Sequence, residues 1–421
     1  MKYSSFAKRF SEDSGIVRLM DDLGEAMAGE SRMLMLGGGN PAHIPQVEAA
    51  FQERLRWLSD HPQILSRIIG DYDSPRGNSR FINTLAGFFK RQYGWDIGPE
   101  NIVLTSGSQN GFFLLFNTLA GEFPDGSHRR ILLPVVPEYI GYSDVGLSDD
   151  LFAANRPLIK IMDDHYFKYH IDFESLQLDE TVGAMCVSRP TNPTGNVLSD
   201  AEMQRLHDLA RSHGVPLIVD NAYGMPFPNV IFTEASLQWS EHIILCMSLS
   251  KLGLPAVRTG VIIASEELTA TIAKMNGIIS LALGSIGPAL VMDLIKTGRM
   301  SELSEQAIRP YYHAKAQRAQ ELLHKELRGV DYYIHKPEGA IFLWLWFPGL
   351  PVSSAELYRR LKERGVLVLS GHYFFPGIKE DGWRHQHECI RVSYAMDDKV
   401  VDEGIRIIAD EVRQVLNGHT A

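Results

Sequence analysis

The stretch Ile243-Ile244-Leu245-Cys246-Met247-Ser248-Leu249-Ser250-Lys251-Leu252-Gly253-Leu254-Pro255-Ala256-Val257-Arg258-Thr259-Gly260-Val261-Ile262-Ile263 sets two short apolar runs on either side of a polar loop. Runs of this length, bounded by turn residues, read as strands buried on both faces. The loop between them gathers hydroxyls, Lys251 and Arg258. A lysine amine forms a Schiff base with an aldehyde once its charge is suppressed, and hydroxyls beside an arginine suit a phosphate. A lone Ser-x-Ser-Lys is equally an ordinary surface loop, so the weight falls on what accompanies it.

The same texture recurs at Ile102-Val103-Leu104, Ile131-Leu132-Leu133, Met185-Cys186-Val187 and Leu217-Ile218-Val219, with helical stretches between. Apolar strands spaced by helices predict an α/β core, a mostly parallel sheet with helices on both faces. Ligands in such sheets bind beyond the carboxyl ends of the strands, so chemistry is expected just after each run. From about residue 300 the texture changes to charged helices with strand-like segments at Ala340 to Phe347 and Val366 to Leu369. Ser353 or Ser354 caps a helix ending near Gly365, and Val401, Ile405, Ile408, Val412 and Val415 form a helical stripe. The expected organisation is an N-terminal arm (1–45) packed with the small domain, a large domain (46–300) and a smaller α+β domain (301–421).

The chain has 421 residues, 45% hydrophobic, enough for a large core, and a formal charge of -10 that argues against nucleic acid and anionic membrane surfaces. Its three cysteines, Cys186, Cys246 and Cys389, make no disulfide framework and fit a reducing compartment. No apolar run follows Lys2, Lys8 and Arg9, so no signal peptide is evident and the cytoplasm is the default expectation. The apolar segment Ile278 to Ile295 contains Gly284, Gly287, Pro288 and Asp293; it reads as a buried loop leading into a helix, not as a membrane span. Small molecules are the expected partners.

Pyridoxal phosphate carries both an aldehyde and a phosphate, and the other strand ends supply what it needs. Thr105-Ser106-Gly107-Ser108-Gln109 precedes an apolar helix start, and such a strand-to-helix turn is an anion site, although Ser and Gly also serve as plain caps. Asp220, in Asp220-Asn221-Ala222-Tyr223, could start a turn or hold a pyridine nitrogen protonated, and Tyr223 could reach the cofactor's phenolic oxygen. In Arg189-Pro190-Thr191-Asn192-Pro193-Thr194-Gly195, two prolines and a glycine aim the Asn192 amide, a donor for that same oxygen.

With these motifs in this order over nearly the whole chain, the sequence resembles the fold-type I pyridoxal-phosphate aminotransferases of the class I/II superfamily. The resemblance implies Lys251 as the Schiff-base lysine, Asp220 as the pyridinium partner, and Asn192 and Tyr223 on the phenolic oxygen. It implies a phosphate cup from Gly107, Ser108, Gln109, Ser248 and Arg258, and Tyr139 stacked on the ring. Arg258 follows Lys251 by 7 positions, one fewer than in the aspartate-aminotransferase pattern. Arg391, in Ile390-Arg391-Val392-Ser393-Tyr394, matches the clamp on the substrate α-carboxylate, and Gly39 a loop that approaches the same group. Tyr72 resembles a tyrosine that crosses a homodimer interface to the other subunit's phosphate, and Ile16 a residue bordering the substrate side chain. The stretches Gly37 to Pro41, Pro137 to Tyr142, Asn221 to Gly224, Ser248 to Pro255 and Lys336 to Trp344 resemble the branch that exchanges an amino group between valine and pyruvate, yielding 3-methyl-2-oxobutanoate and alanine. The implied partners are amino acids and 2-oxo acids.

Other readings are another aminotransferase, for 2-aminoadipate or aromatic substrates, a lyase on the same scaffold, and a non-catalytic cofactor-binding sensor. The last needs an appended basic winged-helix domain, for which the first 40 residues are too short. His385-x-His387-x-Cys389 would share one face of a strand with Arg391, but alternate residues on an extended chain seldom converge on one metal ion, and no metal is expected. No GxGxxG, Walker A or HExxH motif occurs.

Overall fold

Each of the six apolar runs forms a strand of one sheet: β1 (Ile102–Thr105), β2 (His128–Leu133), β3 (Val182–Ser188), β4 (Leu217–Asp220), β5 (Ile243–Ser248) and β6 (Gly260–Ile263). The computed structural model describes residues 1–11, 14–28, 33–163, 165–379 and 382–418. Among these the strands lie in the order β1-β6-β5-β4-β3-β2, with Gly121–Glu122 beyond β2 and Phe152–Ala154 also paired to β2. The run from β5 to β2 is parallel, whereas β6 is antiparallel to both β1 and β5. Register then aligns the functional ends: Ser188 and Cys246 each pair with Asp220, and Gly260 with both Ser248 and Thr105.

A second sheet runs Leu369–Ser370, Cys389–Ser393, Phe342–Trp346, Tyr333–His335, Tyr166–His170, Leu158–Ile161. The expected division at residue 300 is not followed by this hydrogen bonding: the 158–170 hairpin precedes it in sequence yet completes the C-terminal sheet. Residues 34–36 of the N-terminal arm join the same part of the molecule. Leu34–Met35 pairs in parallel with Val366–Leu367, and Ser393 N donates to Leu36 O at 2.7 Å. The helix Ser354–Glu363 starts where Ser353 accepts from Glu356 N, and the last helix, Asp398–Asn417, buries its Val401, Ile405, Ile408, Val412 and Val415 stripe.

The apolar segment 278–295 departs from its expected burial. The helix Glu266–Ile279 ends in a turn on the surface, Ile278 and Leu281 are 87% and 60% exposed, and the segment turns inward from Leu283 into the following helix, Ile286–Lys296, which buries Leu290, Val291 and Leu294. Hydropathy reports that a segment needs cover without saying what supplies it, and a cluster of exposed apolar side chains marks an interaction surface. No helix among the described residues is long and apolar enough to cross a membrane.

Candidate active site

The loop after β5 places Lys251 on a 3-10 turn, Ser250–Leu252, whose Nζ donates to Gly39 O at 2.6 Å. The N-terminal arm thus reaches the amine directly, with Gly39 packed close enough that a Cβ there would lie 3.6 Å from Nζ. Lys251 is pushed down to about 8, first by burial, then by the Arg391 and Arg258 charges, against the opposing pull of Asp220. A lysine so placed supplies far more neutral amine near neutral pH than a solvated one.

Lys251 lines a cavity of about 140 Å³ together with Ser108, Tyr139, Asn192, Asp220 and Tyr223. Gln109, Ser248 and Arg258 also face it. The structure therefore brings together ten of the residues expected from sequence once Gly107 is added. The Gly107 backbone, at φ 84°, turns so tightly under Arg258 that a Cβ would come within 2.2 Å of Nη2. Arg258 itself sits at φ 46°, a left-handed conformation uncommon for a side-chain-bearing residue. Beneath them the helix Ser108–Leu119 begins, its first N–H groups and dipole directed at the same corner. The Gln109 side chain braces this turn, donating to Gly141 O at 2.9 Å.

At the opposite end, Asp220 is buried and accepts from Tyr142 OH at 2.8 Å and from Ala222 N at 3.0 Å. Burial raises it to about 6; those two hydrogen bonds and Lys251 oppose the rise. Tyr142, Ser188 and Ser250 were missed by sequence reasoning. Ser250 had a signal, since it lies one residue from Lys251, but Tyr142 carried none of its own beyond ending the Pro137 to Tyr142 stretch.

Arg391, 2% exposed, lies flat 3.9 Å from the Phe342 ring centroid. Nη1 donates to Asn192 Oδ1 and Nη2 to Gly37 O, both at 2.6 Å, while Nε is buried without a partner. Both partners are neutral oxygens, so the guanidinium is oriented yet not neutralised, the state that favours binding a carboxylate. Burial lowers it only to about 10, so it stays charged at neutral pH.

Two called residues lie elsewhere. Ile16 lines a larger cavity, about 830 Å³, that shares Gln109 and Arg258 with the first and has Ile140, Phe113 and Tyr373 in its walls. Tyr72 is 84% exposed beside Asp73 and Ser285, outside the cofactor pocket of its own chain. The alternation imagined for His385, His387 and Cys389 is replaced by a 3-10 turn, Arg384–His387, because the strand starts only at Cys389. His385 Nε2 meets Tyr169 OH, and among the described residues no His, Cys, Asp and Glu grouping suits a metal ion.

The model of the family described as aminotransferase class I and II matches residues 33–408. The chain belongs to this family. This aminotransferase is 47% identical to the valine–pyruvate aminotransferase of Escherichia coli over 98% of the chain and 99% of that protein. A putative amino-acid aminotransferase from Psychrobacter arcticum superposes with a TM-score of 0.96 at 45% identity, covering 99% of each chain. The valine–pyruvate aminotransferase of Salmonella typhimurium does so with a TM-score of 0.87 at 47% identity, covering 96% of this chain and 100% of the other. Aminotransferases of this family use pyridoxal phosphate. The cavity fits that group: Tyr223 OH is buried in its wall with no partner, and Arg258, Ser108 and Ser248 line its other end beside the first turn of the helix Ser108–Leu119, a donor set suited to a phosphate.

Proposed function

We propose that this aminotransferase exchanges an amino group between valine and pyruvate, giving 3-methyl-2-oxobutanoate and alanine. The observation that carries the reading is near-complete alignment, at 47% identity, with a valine–pyruvate enzyme, joined to a site holding one oriented, uncompensated arginine. The larger cavity beside it mixes polar groups such as Asn110 and Asp144 with Ile16, Ile140, Phe113 and Tyr373, and the apolar members offer a place for an aliphatic side chain.

Arg258, Ser108, Ser248 and the Gly107 turn would hold the phosphate, Asp220 the ring nitrogen, Asn192 and Tyr223 the phenolic oxygen, and Tyr139 a ring face. Bound there, pyridoxal phosphate supplies an electron sink for charge developing at the substrate α-carbon. Arg391 grips the α-carboxylate and so fixes which bond of that carbon faces Lys251. Lys251 Nζ takes up the α-proton and later returns it, a role its lowered basicity suits. In half-reactions followed by cofactor absorbance, valine and alanine are expected to react at least about tenfold faster than glutamate, phenylalanine or 2-aminoadipate, a discrimination of the size a hydrophobic pocket supplies. The reverse order would assign the chain to another substrate.

The working unit is proposed to be a homodimer. The loop after Tyr72 adjoins the last turn of the helix Glu266–Ile279, Asn276 Nδ2 donating to Pro75 O at 3.1 Å, which places the exposed Tyr72, Ile278 and Leu281 in neighbouring segments suited to an interface. Light scattering is expected to give twice the 47.2 kDa chain mass. Ile278→Asp is expected to shift that mass toward a single chain and weaken cofactor retention; an unchanged dimer would place the interface elsewhere.

A further inference from the structure

Behind Asp220 lies a second carboxyl group that the reaction does not call for. Glu138 is 0% exposed, anchored by its own N–H to Phe374 O at 2.8 Å. Its Oε1 accepts from Ser188 N at 2.7 Å, and its Oε2 meets Ser188 Oγ. Ser188 Oγ in turn lies 3.3 Å from Tyr142 OH, which donates to Asp220 Oδ2 at 2.8 Å. Four oxygen-bearing groups, Glu138, Ser188, Tyr142 and Asp220, thus stand in line with three contacts between them.

Counting protons decides how the line is charged. The hydroxyl proton of Tyr142 is committed to Asp220, so in its contact with Ser188 the tyrosine oxygen must accept. For the 3.3 Å contact to hold a hydrogen bond, the single proton of Ser188 has to point at Tyr142, which leaves none for Glu138. With Glu138 ionised, Ser188 would have to serve both neighbours with one proton, and a carboxylate would be buried facing a second one. With a proton on Glu138 Oε2, each contact holds one hydrogen and the only negative charge rests on Asp220.

We propose that Glu138 is a positioning residue for Asp220: as the neutral acid it heads a one-directional donor chain, Glu138 to Ser188 to Tyr142 to Asp220, that fixes the carboxylate charge at the cofactor end. The proposal rests on Asp220 facing the cofactor, and it is independent of which amino acid is the substrate. The titratable groups facing Glu138 are Asp220, Tyr142 and Cys186, and among the described residues no cation pairs with it. Burial, with the Asp220 charge adding, raises Glu138 well above the usual carboxylate range against the opposing pull of the Ser188 hydroxyl and N–H, the direction that favours the neutral acid. A chain of aligned hydroxyls polarises along its length and stabilises the charge at its end.

Two variants separate the chain from mere packing. Glu138→Gln keeps the shape, stays neutral, and offers an amide N–H to Ser188 where the acid offers O–H. Glu138→Leu removes the donor. The infrared difference between wild-type holoenzyme and Glu138→Gln at pH 7 is expected to show the carbonyl stretch of a neutral carboxylic acid lost from the variant. Glu138→Leu is expected to weaken pyridoxal phosphate binding and lower kcat about tenfold, one uncompensated neutral hydrogen bond, with KM little changed, while Glu138→Gln stays near wild type in both. Loss of an ionised carboxylate band instead, or a Glu138→Gln enzyme as impaired as Glu138→Leu, would overturn the proposal. Should the substrate turn out not to be valine, the infrared result would be unaffected.

Discussion

Lys251→Ala is expected to lower the rate of the valine half-reaction by about 10⁴-fold, the upper end of what one positioned acid–base group contributes. That upper end applies because one atom would do two jobs: Nζ would hold the cofactor's aldehyde end, and it is the base placed to move the α-proton. Its preparation for both is visible. Burial and the charges of Arg391 and Arg258 bring it down to about 8, while Gly39 O holds it in the pocket mouth. Alanine leaves the phosphate cup and the Arg391 clamp untouched, so the variant is expected to retain pyridoxal phosphate and substrate binding while losing turnover. Single-turnover mixing with valine, followed by the visible absorbance of the bound cofactor, separates these quantities. A folded Lys251→Ala enzyme that transaminated at the wild-type rate would remove Lys251 from the chemistry altogether. A variant that merely failed to bind cofactor would reassign it to anchoring.

What was legible in the sequence was whatever depends on local texture. Strands buried on both faces must be apolar throughout, so β1 to β6 stood out before any topology was known, and residues at their ends could be named as candidates. Sheet order was less legible, because a doubly buried strand has the same composition whether it runs parallel or antiparallel. The placement of β6 between β1 and β5 still left a trace: residues 249–259 fall short of the dozen or more that a parallel crossover needs. Partnerships across long sequence separations left none. Nothing marks Tyr142 as the donor to Asp220, 78 positions away, or Glu138 as the head of the same chain. The hairpin at 158–170 joins a sheet whose other strands follow residue 330, and only hydrogen bonding reveals it. The exposed stretch at Ile278 and Leu281 departs from its expected burial for a related reason, since hydropathy is indifferent to whether cover comes from the same chain or another.

Arg391→Lys is expected to lower kcat/KM for valine about a hundredfold, chiefly through KM, the loss of roughly 1.5 to 3 kcal/mol carried by a charge-assisted hydrogen bond. Lysine keeps the charge but not the fork. It cannot reach Asn192 Oδ1 and Gly37 O while presenting parallel donors to a carboxylate, and it cannot lie flat on Phe342 as the guanidinium does. A neutral substitution, Arg391→Leu, tests a second consequence. The Arg391 charge is one of the forces holding Lys251 down, so its removal is expected to raise the Lys251 midpoint. The half-reaction rate would then climb to its plateau at higher pH than in wild type, whereas Arg391→Lys would keep its profile. The same coupling acts during binding. A substrate carboxylate that pairs with Arg391 cancels part of the field on Lys251, making the amine a stronger base once an α-proton is in place to be removed. Equal pH profiles for the lysine and leucine variants would show that the two groups do not communicate, and unchanged valine affinity in both would move the carboxylate clamp away from Arg391.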